Sequence, residues 1–445
     1  MTKKHELAWS AKLDRRLMSG KGGKRHLLVQ VAAPQVPREE GEERVPVNLG
    51  LVIDASGSMS GEPLEAACEA AGGIVDALRD DDRITVVSFA EDVITHANAV
   101  AGDADGKRKV RAEIARLQTR GCTNLAAGWL RGCECVADQM ERTAGMQNRV
   151  ILISDGHANA GLCDPEELGL HAAELRKRGL FTTTVGVGDH YSPTQLQAIA
   201  DQGGGRMHDA ADGQDLVEVL LGELGEIFKT VAQDVTLAVV HPHNLPVTVL
   251  GPYPAHTGAG RLSVSLGTLV AGASRQVVLQ LAVPAGRVGD RLQLVVEPSW
   301  QDPGSSVTRS GTPLPVALAI APVEEVATEL PDLATCAIVA RLWQKSILLQ
   351  TTKLNAEGQY EEAGRYLDGI IDEFRDYCRD LPGGRDLVRE LERHRRVVSS
   401  PMEGRSLAML SCCARKDMTA EADLRTFGGR SRRRSGRPRG PSSRS

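Results

Sequence analysis

The stretch LGLVIDASGSMSG over residues 49–61 runs as an apolar strand and then stops on Asp54, Ser56 and Ser58, three oxygen-bearing side chains at alternate positions. Two later segments add to them. RGCTNLAAGW offers Thr123 just ahead of a helical pattern, and RVILISDG ends an apolar run on Asp155. Two carboxylates and three hydroxyls, with no histidine or cysteine among them, make a hard donor set that suits Mg2+, or failing that Mn2+ or Ca2+, far better than zinc. Hydroxyl ligands carry no formal charge, so an ion they hold keeps much of its own. If the aspartates act partly through water or hydrogen bonds, one coordination position stays open to a carboxylate from another molecule. The same ion could also activate water in a metal-assisted hydrolase. His157, two residues after Asp155, is then the candidate base.

Other chemistries lack their residues. An aspartyl-phosphate hydrolase wants a second acid two positions after its nucleophile, and that position is Ser56. A Gly-x-Ser-x-Gly elbow fails because Met59 stands midway between Gly57 and Gly61, and no Gly-x-x-x-x-Gly-Lys-Ser/Thr run cradles a nucleotide. His241 and His243 flank Pro242 without a nearby third ligand and read as turn residues. Cys133 and Cys135 are two apart in a helical pattern, which points them away from each other and makes them packing residues. Cys122 reads as a small buried residue and Asp92 as an exposed turn acid.

For three distant segments to meet, strands must end on a common rim. Between residues 47 and 230, apolar strands alternate with helical periods, which predicts a doubly wound, mostly parallel α/β domain. Ligands of such sheets collect beyond the carboxyl ends of the strands, where Asp54 and Asp155 both fall. Pro63 suits the first turn of one helix, and Ser192-Pro193 followed by Gln195 reads as a capping box on another. Over 231–322 the apolar period drops to two, predicting a β-sandwich-like domain. Residues 1–46, with the strand KRHLLVQVAA and a proline-marked linker, are expected to join that sheet. Residues 323–400 read as helical, and 401–445 as a disordered basic tail.

The chain is 445 residues long with net charge −5, yet eight arginines and no acid follow Leu424, so the remainder carries −13. That tail is a candidate contact for nucleic acid or another acidic surface. Aromatic residues, 3% of the chain, do not interleave with its arginines, which argues against base stacking. No run of apolar residues is long enough for a transmembrane helix, and the amino-terminal segment lacks the core of a signal peptide. The expected location is therefore cytoplasmic.

The Asp-x-Ser-x-Ser of residues 54–58, the Thr123 of GCTNL and the Asp155 of ISDG together resemble the metal-ion-dependent adhesion site of the von Willebrand factor type A domain family. The resemblance covers roughly residues 47–230. It implies a Rossmann-like fold, with Ser56, Ser58 and Thr123 as direct metal ligands and Asp54 and Asp155 acting mainly from behind them. It also implies a binding or scaffold protein that grips an acidic residue of a protein partner through the metal, rather than an enzyme. The flanking β and helical segments are similar to those of bacterial cytoplasmic members.

Overall fold

The computed structural model describes residues 6–35, 44–156, 160–188 and 191–402, and beyond these Leu407, Leu410, Ser411, Ala414, Arg415 and Met418. Three strands come first: β1 (Ala8–Leu13), β2 (Leu17–Ser19) and β3 (Gly23–Ala32). An alternating run follows, with β4 (Val47–Asp54), α1 (Glu62–Ala77), β5 (Arg83–Phe89), β6 (Val93–Ala101), α2 (Ala104–Ile114) and α3 (Leu125–Ala137). It continues through β7 (Gln147–Ser154), α4 (Pro165–Lys177), β8 (Leu180–Val187), α5 (Pro193–Gln202), β9 (Gly204–Ala210) and α6 (Gly213–Phe228). Then come β10 (Thr230–Val240), β11 (Val247–Leu250), β12 (Ala255–Gly258), β13 (Arg261–Val270), β14 (Ser274–Val283), β15 (Arg291–Gln301), β16 (Thr308–Ser310) and β17 (Leu314–Ala321). Four helices follow: α7 (Val323–Thr328), α8 (Leu333–Ala356), α9 (Tyr360–Cys378) and α10 (Gly384–Val398).

The strands of the alternating run form one sheet in the order β6-β5-β4-β7-β8-β9. Every pairing in it is parallel except that of β6 with β5. Every residue of β4 is buried because both its faces are covered. Leu49, Leu51 and Ile53 pack with Ile74 of α1 and Leu220 of α6, while Val52 turns to the other side against Trp129 of α3. That division of one strand between two cores is the doubly wound architecture the alternation predicts.

Helix α3 lies unusually close to the sheet. Gly128 and Gly132 share the face toward it, and a Cβ on Gly128 would come within 2.3 Å of Phe89 Cγ, one on Gly132 within 2.2 Å of Val52 Cγ2. Helix packing thereby presses α3, and with it the loop that carries Thr123, onto the ends of β4 and β5. Strand β6 was not legible in the sequence. Its alternation is broken by Ala99, at a φ of 47°, and by shifts of register against β5, so no clean period of two runs through it.

The remaining strands build two further sheets, β1-β3-β14-β11 and β12-β13-β10-β15-β17-β2, with β16 attached to β15. Val29 and Leu279 from the first meet Leu237, Val264 and Leu294 from the second in one core, so the two sheets face each other. The amino-terminal strands thus complete sheets whose other members follow residue 230. In β3, neighbouring residues are buried on opposite faces: Leu27 and Val29 point into the sandwich, and Leu28 meets Val339 and Leu342 of α8. Helices α8, α9 and α10 share a core of Trp343, Ile347, Leu367, Phe374 and Leu391.

Polar contacts join the α/β sheet to the sandwich. Arg149 of β7 donates to Thr268 Oγ1 at 3.2 Å, and Arg176 of α4 donates to Ser265 Oγ at 2.8 Å. Where the chain enters the α/β run, Arg44 is paired with the fully buried Asp82 and stacks 3.7 Å over the Phe228 ring at the end of α6. The entry and exit of the run are therefore clamped side by side.

Two expectations need correction. Ser192 makes no side-chain cap to α5; its hydroxyl lies 3.2 Å from Thr194 Oγ1, and Gln195 donates instead to the Cys163 carbonyl at 2.7 Å. Tertiary contact with the loop before α4 outcompetes the local capping box. Disorder expected from residue 401 does not hold for the described positions from Leu407 to Met418, which are helical, with Ala414 and Met418 buried. Met418 sits in a small apolar cluster with Leu28 and Val278, and Arg415 pairs with Asp201 of α5. The arginine-rich segment from Arg425 lies outside the described residues. Among the described residues no helix is long and apolar enough to cross a membrane.

Candidate metal centre

The five oxygen-bearing residues sit at the carboxyl ends of β4 and β7 and on the loop before α3. Strand β4 ends on Asp54, and a short 3₁₀ turn, Gly57–Met59, swings Ser56 and Ser58 over the strand end. Asp54 is wholly buried. Its Oδ1 accepts from the Ser56 backbone N–H at 2.9 Å, and its Oδ2 from Ser154 Oγ at 2.6 Å. Those two bonds fix the direction in which the turn leaves the strand.

Ser56 Oγ and Ser58 Oγ lie 3.1 Å apart, and Ser58 Oγ donates to Asp155 Oδ1 at 2.8 Å. Thr123 comes from the loop before α3. The position a Cβ would take on Gly156 is 3.4 Å from Thr123 Oγ1 and 3.8 Å from Ser58 Oγ, so the missing side chain leaves a notch that both hydroxyls border. Hydrogen bonds thus link Asp54, Ser56, Ser58 and Asp155 in series, and Thr123 Oγ1 borders the same notch as Ser58 Oγ. Ser58 is exposed at its mouth, and the other four are buried.

Electrostatics at the rim favours a cation. Burial raises the Asp54 carboxyl above its usual range; the hydrogen bonds from Ser154 and Ser56 oppose this, and the charge of Asp155 adds to it. Two carboxylates brought together in a buried place repel each other, and a positive ion between their hydroxyl partners relieves that repulsion. Among the described residues no group of three or more His, Cys, Asp or Glu side chains stands together, so here the hydroxyls must complete any donor set. Oxygen donors around a small notch are the chemistry that a hard divalent cation requires.

Thr123 is held by its loop. The Arg120 N–H donates to the Ala55 carbonyl at 2.6 Å, Gly57 N–H to the Gly121 carbonyl at 3.1 Å, and Asn124 N–H to the Ala90 carbonyl at 2.9 Å. Asn124 then caps α3, its side chain accepting from Ala127 N–H. Ser154 is a contributor that sequence reasoning missed. Its only signal was a hydroxyl at the end of an otherwise apolar strand.

Residues weighed at the sequence level divide clearly. Cys122 is exposed, contrary to expectation, because the loop turns Thr123 inward and its predecessor out. Asp92 is exposed as expected and accepts from Arg120 Nε at 2.7 Å. Cys133 and Cys135 are both buried, and His241 Nδ1 donates to the Pro242 carbonyl at 3.0 Å, away from the rim. His157 lies outside the described residues.

The family model of the von Willebrand factor type A domain matches residues 48–220. An uncharacterized protein of Synechocystis is 28% identical over 75% of this chain and 79% of its own length. Inter-alpha-trypsin inhibitor heavy chain H3 of Rattus norvegicus is 26% identical over 52% of this chain, which spans only 26% of that protein. Among solved structures, a von Willebrand factor type A protein from Catenulispora acidiphila superposes with a TM-score of 0.69 at 17% identity, covering 95% of this chain and 99% of its own. That likeness extends beyond the α/β sheet to the sandwich and helices, and it concerns fold. Domains of the family generally mediate protein–protein interactions and commonly bind a divalent metal. With a matching family model laid over the doubly wound sheet, residues 48–220 of the chain form a von Willebrand factor type A domain.

Proposed function

We propose that Asp54, Ser56, Ser58, Thr123 and Asp155 hold a divalent cation, Mg2+ in the first instance, through which the chain grips an acidic side chain of a protein partner. The observation that carries this reading is the run of contacts from Asp54 through Ser56 and Ser58 to Asp155, with Thr123 on the same notch. In this reading the hydroxyls of Ser56, Ser58 and Thr123 are the ligands. Asp54, tied to the Ser56 backbone and to Ser154, and Asp155, accepting from Ser58, orient those hydroxyls and balance charge. When bound, the ion supplies a Lewis-acidic position for a carboxylate oxygen of the partner. The exposed Ser58 marks the side from which a partner arrives. The sandwich and helices serve as scaffold, and a cytoplasmic setting is part of the same proposal.

The test is capture of partners from the source cells by the whole chain and by Asp54→Ala, each with and without a chelator. Partners retained by the wild type with Mg2+ and released both by chelator and by the substitution are expected. Capture indifferent to metal and to Asp54 would overturn the reading.

A further inference from the structure

Thr123 stands on a connection without secondary structure, the segment after α2 that leads into α3. A ligand on such a loop needs outside support, because a displacement on the order of 1 Å is enough to spoil a coordination site. Backbone bonds from Arg120 and Gly121 tie one side of the segment to Ala55 and Gly57 of the Asp-x-Ser turn. Toward the β5–β6 hairpin, Asn124 N–H is bonded to the Ala90 carbonyl, and the Arg120 side chain adds a second tie. Arg120 Nε donates to Asp92 Oδ1 at 2.7 Å, and its Nη2 donates to Ser88 Oγ at 3.1 Å.

Ser88 is fully buried at the end of β5, and its hydroxyl also lies 2.7 Å from His96 Nε2 of β6. Burial, and then the charge of Arg120, push His96 below the usual imidazole range, so the ring is neutral near pH 7 and fit for a hydrogen bond with a hydroxyl. The guanidinium therefore spans from a buried hydroxyl to a surface carboxylate, both on the β5–β6 hairpin. Planar, forked and always charged, it fixes an angle as well as a distance.

We infer that Arg120 is a positioning residue of the metal centre: braced by Asp92 and Ser88, it sets the place of Thr123 Oγ1 relative to Ser56 and Ser58. This rests on the reading of the five residues as a cation site. The pair contributes little to stability, because Asp92 is 59% exposed at its side chain and exposed ion pairs are weak. What the bracing controls is alignment. A lysine at 120 keeps the charge and one contact but loses the fork.

The test measures the Mn2+ dissociation constant of the whole chain by calorimetry, and in parallel the urea midpoint in chelator, for wild type, Arg120→Ala, Arg120→Lys, Asp92→Asn and the swap Asp92→Arg/Arg120→Asp. Arg120→Ala is expected to weaken Mn2+ binding by about tenfold, in line with the loss of an orienting partner behind a ligand. Asp92→Asn should fall part of the way, Arg120→Lys should recover part of the affinity, and the urea midpoints should stay at the wild-type value. Wild-type affinity in both Arg120→Ala and Asp92→Asn overturns the inference while leaving the cation site standing. An affinity loss that follows a lowered urea midpoint across the set overturns it too, by making Arg120 merely structural. A wild-type chain that takes up no Mn2+ overturns the site reading itself, and this inference with it.

Discussion

Substitution of Gly128 by alanine sets two known effects of opposite sign against each other. In an unobstructed helix the change is favourable by about 1 kcal/mol, because alanine gives up less backbone freedom than glycine. At Gly128 the new methyl would lie 2.3 Å from Phe89 Cγ and 2.4 Å from its Cβ, atoms at the root of a fully buried ring that cannot swing aside. Ordinary contact needs more than a further ångström, so α3 must lift from β5 or Phe89 must leave its place. Overpacking of this kind costs about 1–3 kcal/mol, and an overlap at the ring root belongs at the upper end. The net expectation is destabilisation of about 2 kcal/mol. Asn124 caps α3 directly after Thr123, so lifting the helix should also weaken Mn2+ binding by about tenfold. Gly222 of α6 supplies the control, since a Cβ there would meet nothing within 4 Å. Urea unfolding should place Gly222→Ala at or above the wild type and Gly128→Ala clearly below it. A Gly128→Ala chain as stable as Gly222→Ala, with unchanged Mn2+ affinity, would refute the account of how α3 is seated.

Two other outcomes follow from buried charges. Asp82 accepts from Arg44 Nη1 at 2.8 Å, from Val47 N–H at 2.8 Å and from Arg79 N–H at 2.7 Å, so Asp82→Ala strands a buried guanidinium and should cost about 3–5 kcal/mol in urea unfolding. A loss below about 1 kcal/mol, the range of an exposed pair, would contradict that clamp. Glu223 of α6 is pushed up by burial but pulled further down by the His208 hydrogen bond, the charges of His208 and Arg206 and the Thr183 hydroxyl, to about 2. Its folded value lies below its unfolded one of about 4.3, so its stabilisation is present above that pH and is lost as the pH falls toward 2. That is on the order of 3 kcal/mol, and Glu223→Gln should flatten the acid limb of stability against pH; curves for the two chains that stay parallel between pH 5 and 3 would contradict the assignment.

The α/β sheet was legible because its strands are covered on both faces, which writes long apolar runs such as VNLGLVID into the sequence. The rim was legible for a related reason: a polar residue that ends such a run has only the sheet edge to occupy, as Asp54 and Asp155 do. Strand β6 was hidden because it is an edge strand with a broken register, half exposed and without a clean period. Support for Thr123 was hidden for a different cause. Arg120, Asp92 and Ser88 come from separate segments, and nothing in the spacing of an arginine reveals which carboxylate it will reach. The same holds for Ser192 and Gln195, where a well-formed local capping pattern yields to the Cys163 carbonyl.

The central claim is most directly tested by crystals of the chain grown with Mn2+ and an anomalous difference map collected near the manganese edge. The account predicts a peak in the notch beside Gly156, within bonding distance of the hydroxyls of Ser56, Ser58 and Thr123. A map with no peak there at saturating Mn2+, and with those three hydroxyls turned away from one another, would contradict it.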